Sequence, residues 1–370
     1  MDDVRVSTIE LFFDLVFVFT ITQLTTVLVS EPNGVGVTRV ALIFGNVWWM
    51  YGGYAWLTNA VPPREPVVRL LMLLGMAGFL VVALAIPDAF GDAGIAFGIG
   101  YLVVTFVHTG LFLRSSEGSA VRAMTRLGPY NTITAALLLA AGFTDGTAQW
   151  TLWTAAFVLH WTSPIVTAVG GFRIRPAHFV ERHGLIVLIA LGESIVAVGI
   201  GVQGREITSG LLTTAVLGLA LASALWWLYF DGEDERAERA LRDAPDDRNP
   251  WLALYAFGYA LLPVLGGIVA LAAGVKLAIV DYGEPATAAT AWFLAAGVAV
   301  YVAGLVLFRL VLRAGPVATR LAIGVVALAT VFVGLAVSAE AQIAVLAALV
   351  TVGILIEPRV TAWRRRLPAR

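Results

Sequence analysis

Glu10 and Asp14 stand four residues apart in an otherwise apolar run, Ser7-Thr8-Ile9-Glu10-Leu11-Phe12-Phe13-Asp14-Leu15-Val16-Phe17-Val18-Phe19. On a helix this spacing puts both carboxylates on one face, a turn apart. Carboxylates that close repel unless one is protonated or a cation lies between them. Arg182 and His183 open a later apolar run and are the cations expected beside them. Such a group reads either as a gate at one end of a transport path or as an ion-pair lock between parts of the chain. Glu193 stands near the middle of that later run, in Leu191-Gly192-Glu193-Ser194, where its side chain cannot easily reach water by snorkelling. A carboxyl group there can exchange a proton as the site gains and loses water. Glu193 is therefore the candidate coupling carboxylate of a proton-linked process. His160 and His108, also inside apolar runs, are its candidate proton partners. The alternative for all three is a fixed contact that only holds helices together.

Other chemistries find little support. The chain has no cysteine, which removes disulfides, thiolate nucleophiles, iron–sulfur ligation and cysteine-based zinc sites. His108, His160, Glu193 and Asp14 are metal-ligating types, but none has a local ligand spacing such as His-Glu-x-x-His, so no metal is expected. No serine-centred elbow, phosphate loop or dinucleotide fingerprint lies on a suitable element, and no cofactor is expected. The net charge of −1 gives no reason to expect a nucleic-acid partner.

The elements that must position these residues follow from composition. Hydrophobic residues make up 59% of the chain and charged residues 13%, against roughly 25% charged in soluble domains. Such a chain can cover a surface facing lipid, where helices satisfy their own backbone groups. Runs long enough to cross a bilayer lie at 8–29, 39–59, 67–86, 94–113, 127–143, 150–171, 184–203, 209–230, 252–275, 289–312, 317–337 and 340–357. The acidic start Met1-Asp2-Asp3 and the charges in the first run predict a retained span rather than a cleaved leader. With the N-terminus inside, every one of the 24 basic residues except Arg39, Arg205 and Lys276 falls to the cytoplasmic side. Loss of two adjacent spans would leave that tally intact, so ten is the competing count. The charged stretch 231–251 is expected to be a solvated surface helix. Glycines in Gly94-x-x-x-Gly98, with Gly266 and Gly267, are expected at close helix contacts.

The halves also echo each other. Trp48-Trp49-Met50-Tyr51 recurs as Trp226-Trp227-Leu228-Tyr229 at an offset of 178, and Thr125-Arg126-Leu127 recurs as Thr319-Arg320-Leu321 at 194. Pro164 and Pro358 repeat the second offset. The expected fold is an all-α polytopic bundle of about twelve spans with both termini cytoplasmic. It would consist of two parallel six-span repeats, residues 1–175 and 176–370.

Residues 7–19, continuing to Gln23-Leu24, resemble the opening of the bacterial low temperature requirement protein A family. The segment His178-Phe179-Val180-Glu181-Arg182-His183-Gly184-Leu185, running on to Leu191-Gly192-Glu193-Ser194-Ile195, resembles that family's second signature. Trp226-Trp227-Leu228-Tyr229 fits as well, and the resemblance covers essentially the whole chain. It implies that Glu10, Asp14, His178, Glu181, Arg182 and Glu193 belong to one functional or structural centre. It implies no substrate, because the family name records a growth phenotype in the cold.

The expectation is a multi-pass protein of the bacterial cytoplasmic membrane, a proton-coupled secondary transporter of a small solute rather than an enzyme. Glu193 would couple the proton. Glu10, Asp14, Glu181 and Arg182, with His178 and His183 in the same charge cluster, would form a gate on the cytoplasmic side. The alternatives are a membrane enzyme acting on a lipid or isoprenoid, and a structural or sensory protein without turnover.

Overall fold

The computed structural model describes residues 6–167, 172–202, 206, 208–280 and 282–366. Met1-Asp2-Asp3, Arg5, Arg205 and Arg370 of the reading above lie outside the described residues, as do the side chains from Pro358 onward. The described residues are largely helical and contain no strand, and helix covers most of the described part of each of the twelve predicted segments.

In order the helices are α1 (Thr8–Ser30), α2 (Gly34–Ala60), α3 (Pro66–Ala85), α4 (Gly94–Leu113), α5 (Gly118–Ala141), α6 (Gly146–Thr167), α7 (Pro176–Val202) and α8 (Ser209–Phe230). There follow α9 (Glu233–Asp243), α10 (Asn249–Ala253), α11 (Leu261–Val280), α12 (Ala288–Leu312), α13 (Ala318–Ala329), α14 (Val331–Ala336) and α15 (Ala339–Arg366). Local chemistry sets several starts. The side chain of Asn33 accepts from Val35 and Gly36 N–H ahead of α2, Thr287 accepts from Thr290 N–H ahead of α12, and Pro66 opens α3 without an N–H to orphan.

Among the described residues, eight stretches are long and apolar enough to cross a membrane: those containing α1, α3, α4, α8, α11 and α12, the α13–α14 pair, and α15. Large side chains such as Leu70, Val325 and Phe332 are exposed on them, as a lipid-facing surface requires. The protein is a multi-pass membrane protein. Of the remaining long helices, α2, α5 and α6 are diluted by Trp, Tyr, Asn, His and charged side chains, and with α7 they carry most of the candidate site residues.

The chain divides into two compact units, residues 1–186 with 241–258, and residues 187–240 with 259–370. In the first, α1 packs on α2 and α3, and α3–α4, α4–α5 and α5–α6 are neighbours. Helix α2 touches α1, α4 and α6, which makes it central to this unit. Phe13, Phe17, Tyr51, Tyr54 and Phe79 form its aromatic core. In the second unit α11 packs on α12, α12 on α13 and α14, and α15 folds back on α13 and α14 and reaches α8. The break at Thr330 is held by Gln342, whose side-chain amide donates to Ala291 O at 2.8 Å and Thr330 Oγ1 at 3.3 Å.

Glycines bring these helices together. A Cβ on Gly78 or Gly100 would meet the other's carbonyl oxygen at 3.0 Å, and one on Gly267 would meet Gly297 O at 2.6 Å. Gly94 and Gly98 approach Gly142 and Leu139 of α5 as closely. Between α10 and α11 the helix widens into a π turn over Leu254–Ala260. The five-residue pattern of that turn would pair the Gly258 carbonyl with residue 263, a proline without an N–H. The indole of Trp48 donates to it instead, at 2.7 Å.

Candidate functional site

Helices α1, α2 and α7 place six polar side chains together inside the first unit. Glu10 lies in the first turn of α1, and its Oε2 is taken by the helix start, accepting from Ser7 N at 2.8 Å and Ser7 Oγ at 2.7 Å. Its Oε1 faces inward and receives Arg182 Nη1 and His178 Nε2, each at 3.0 Å. One turn on, Asp14 Oδ1 receives Tyr51 Oη at 2.9 Å and Arg182 Nη2 at 3.5 Å. Arg182 Nη1 also donates to Thr58 Oγ1, and its guanidinium lies over the rings of Phe13 and Tyr51. Glu10, Asp14, Thr58, His178, Arg182 and Tyr51 are each 4% exposed or less.

Charge counting describes what this group can do. The guanidinium is always cationic. Two carboxylates beside it leave one negative charge uncompensated at a depth where an unpaired charge is costly. His178 Nε2 stands on the same Glu10 oxygen as the guanidinium. Asp14 Oδ2 and His178 Nδ1 have no hydrogen-bond partner among the described residues. Among the described residues no three His, Asp or Glu side chains are placed to hold a metal ion.

The other expected residues sit elsewhere. His183 turns away from the carboxylates. Its Nδ1 lies 2.8 Å from Phe179 O, and its ring packs on Phe179 and Phe257 and edge-on to Trp48. Glu181 is exposed and accepts from Val6 N at 3.3 Å. His160 places Nδ1 3.1 Å from Asn46 Oδ1 and stacks on Trp49, while Nε2 has no partner among the described residues. His108 is buried beside Gly53, where a Cβ would stand 2.8 Å from its Nε2. Glu193 is buried with Ser194 in the second unit.

The second unit holds a charge network that sequence reasoning missed. Glu233 Oε1 receives Arg309 Nε and Arg320 Nη2, each at 2.9 Å, and Arg309 also pairs with Glu357. Two guanidinium groups meet two carboxylates, with the half-exposed Arg236 at the edge of Glu233. Arg309 and Arg320 enter the cytoplasmic tally by position alone, whereas Arg182 is also the cation expected beside Glu10 and Asp14. All three are buried within helices, at 3%, 2% and 1% exposure. The usable signal was that Arg309, Arg320 and Glu357 all fall inside their own predicted spans.

Residues 5–355 match the model of the family described as bacterial low temperature requirement A protein. An uncharacterized protein of Rhizobium meliloti (strain 1021), RA0937, is 30% identical over 289 residues, covering 74% of this chain and 69% of that protein. No solved structure matches the chain.

Proposed function

We propose proton-coupled transport for this chain, which belongs to the bacterial low temperature requirement A protein family. The observation that carries the reading is the buried group Glu10–Asp14–His178–Arg182, one positive charge short of neutrality unless it binds a proton. A net charge held at that depth is costly, and uptake of one proton would remove it. Transporters place ionisable groups inside the membrane as proton relays. Tyr51 links the network to the interior of the first unit. Its hydroxyl holds Asp14 while its ring stacks on Trp48 at 5.2 Å.

The architecture proposed is twelve spans in a bacterial cytoplasmic membrane, both termini inside, built from two parallel six-span repeats. The neighbour pattern supports duplication. The contacts α3–α4, α4–α5, α5–α6 and α2–α6 have counterparts in α11–α12, α12 with α13 and α14, α13 and α14 with α15, and α8–α15. A paired glycine crossing accompanies each of the α3–α4 and α11–α12 contacts. Glu193 is proposed as a second proton-carrying group, and Glu181 as a residue of the cytoplasmic rim.

Proteoliposomes containing a pH-sensitive dye, challenged with a panel of solutes, test the role. The wild-type protein should move protons when at least one solute gradient is imposed. Asp14→Asn should abolish solute-driven proton movement while solute exchange persists, and Glu193→Gln should do the same if it is a second relay. Proton movement unchanged in Asp14→Asn would reject the network as the proton site.

A further inference from the structure

The first unit contains a partly open cavity of about 70 Å³, framed by α2, α4, α5 and the π turn. Its walls are aromatic, with Trp48, Trp49 and Trp56 from α2 and Phe112 from α4, and none of its lining residues is Asp, Glu, Lys or Arg. Two polar side chains reach it. Asn131 Oδ1 already accepts from Trp49 Nε1 at 3.2 Å. His108 is 2% exposed, its ring lies against the Gly53 backbone, and neither ring nitrogen makes a well-aligned hydrogen bond among the described residues. A buried imidazole left unsatisfied costs free energy that a bound hydroxyl or carbonyl would recover. Gly52 completes the floor: a Cβ there would meet nothing within 4 Å, so the backbone of α2 is bared to the cavity.

We propose that this cavity binds a neutral aromatic molecule carrying one hydroxyl or carbonyl group, its ring against the tryptophans and its oxygen at His108. Indole faces select flat π systems by stacking. The uncharged lining disfavours ions, which would lose hydration without a countercharge. A neutral imidazole has one donor and one acceptor nitrogen and so suits a hydroxyl in particular. The inference names a substrate class for the transport reading and rests on it only for the word substrate. Trp48 lines the cavity and stacks on Tyr51, which holds Asp14, so an occupant would lie one ring away from the proton network.

Calorimetry on the full chain in nanodiscs, with empty nanodiscs as the blank, tests it using 2-naphthol, naphthalene and 1-decanol. 2-Naphthol should bind saturably. Gly52→Leu, which fills open space, should weaken it at least about tenfold, the scale of a few lost ring contacts. His108→Phe should weaken 2-naphthol roughly tenfold, the value of one buried hydrogen bond, while naphthalene changes less than about twofold. If His108→Phe fails to fold, Gly52→Leu decides alone. Unchanged 2-naphthol binding in Gly52→Leu overturns the site. Equal competition by 1-decanol overturns the aromatic class and assigns the cavity to acyl chains. No flux is measured, so failure here leaves the proton reading standing, and a wild type without proton movement leaves this binding result standing.

Discussion

Arg182 is the residue on which the first unit's interior electrostatics turn. It serves Glu10 with Nη1 and Asp14 with Nη2, and only a planar fork reaches both at once. Removing it leaves two buried carboxylates without a fixed cation, a loss on the order of 3–5 kcal/mol for a broken buried pair. Arg182→Gln should therefore lower the thermal unfolding midpoint in detergent by several degrees, and Arg182→Lys should recover only part of it. Asp14→Asn should act in the opposite sense. It keeps an acceptor for Tyr51 and leaves one carboxylate for one guanidinium, so the midpoint should hold or rise. A midpoint that falls in Asp14→Asn would mean that the group is already neutral without an added proton. Glu10, Asp14 and Arg182 were legible in the sequence because charges inside apolar runs are costly and therefore few. Tyr51 and Thr58 were not, since a hydroxyl in an apolar helix carries no such signal. His183 was expected with Arg182 as its neighbour in sequence, yet successive helical residues point about 100° apart and only His178, one turn earlier, reaches Glu10.

At the scale of elements, glycine does two different jobs. Gly267 lets α11 and α12 touch backbone to backbone, whereas Gly52 leaves a space empty. Alanine is favoured over glycine inside a helix by about 1 kcal/mol, so propensity alone predicts that both Gly→Ala changes stabilise. The structure predicts a split. Gly52→Ala should raise the unfolding midpoint. Gly267→Ala should lower it, because the new Cβ would stand 2.5 Å from Tyr301 N and force the helices apart at a cost of roughly 1–3 kcal/mol. Matching shifts in the two variants would refute the close crossing. The π turn before Pro263 belongs to the same scale. The proline could be read as a kink in the sequence, but the partner of the freed carbonyl, Trp48, lies 210 residues away and could not.

For the whole molecule, the absence of cysteine makes topology directly measurable. Single cysteines replacing the exposed Ser116 or Asp247 should react with impermeant maleimide only in inverted membrane vesicles. Replacements of the exposed Asp145 or Glu284 should react only in intact spheroplasts. A twelve-span chain requires this alternation, and loss of the two spans that flank any one of these four loops would reverse the result there. Helix positions were open to sequence reading because each span must be apolar over its own length to survive in lipid, a local demand written in consecutive residues. The two buried carboxylates and their cation could be expected for the same reason, from the cost of charge at depth. The partners of each charge, the Glu233–Arg309–Arg320–Glu357 network and the tryptophan-lined cavity are contacts between helices far apart in the chain. They depend on which faces meet and where glycines let them approach, and only the tertiary structure decides that.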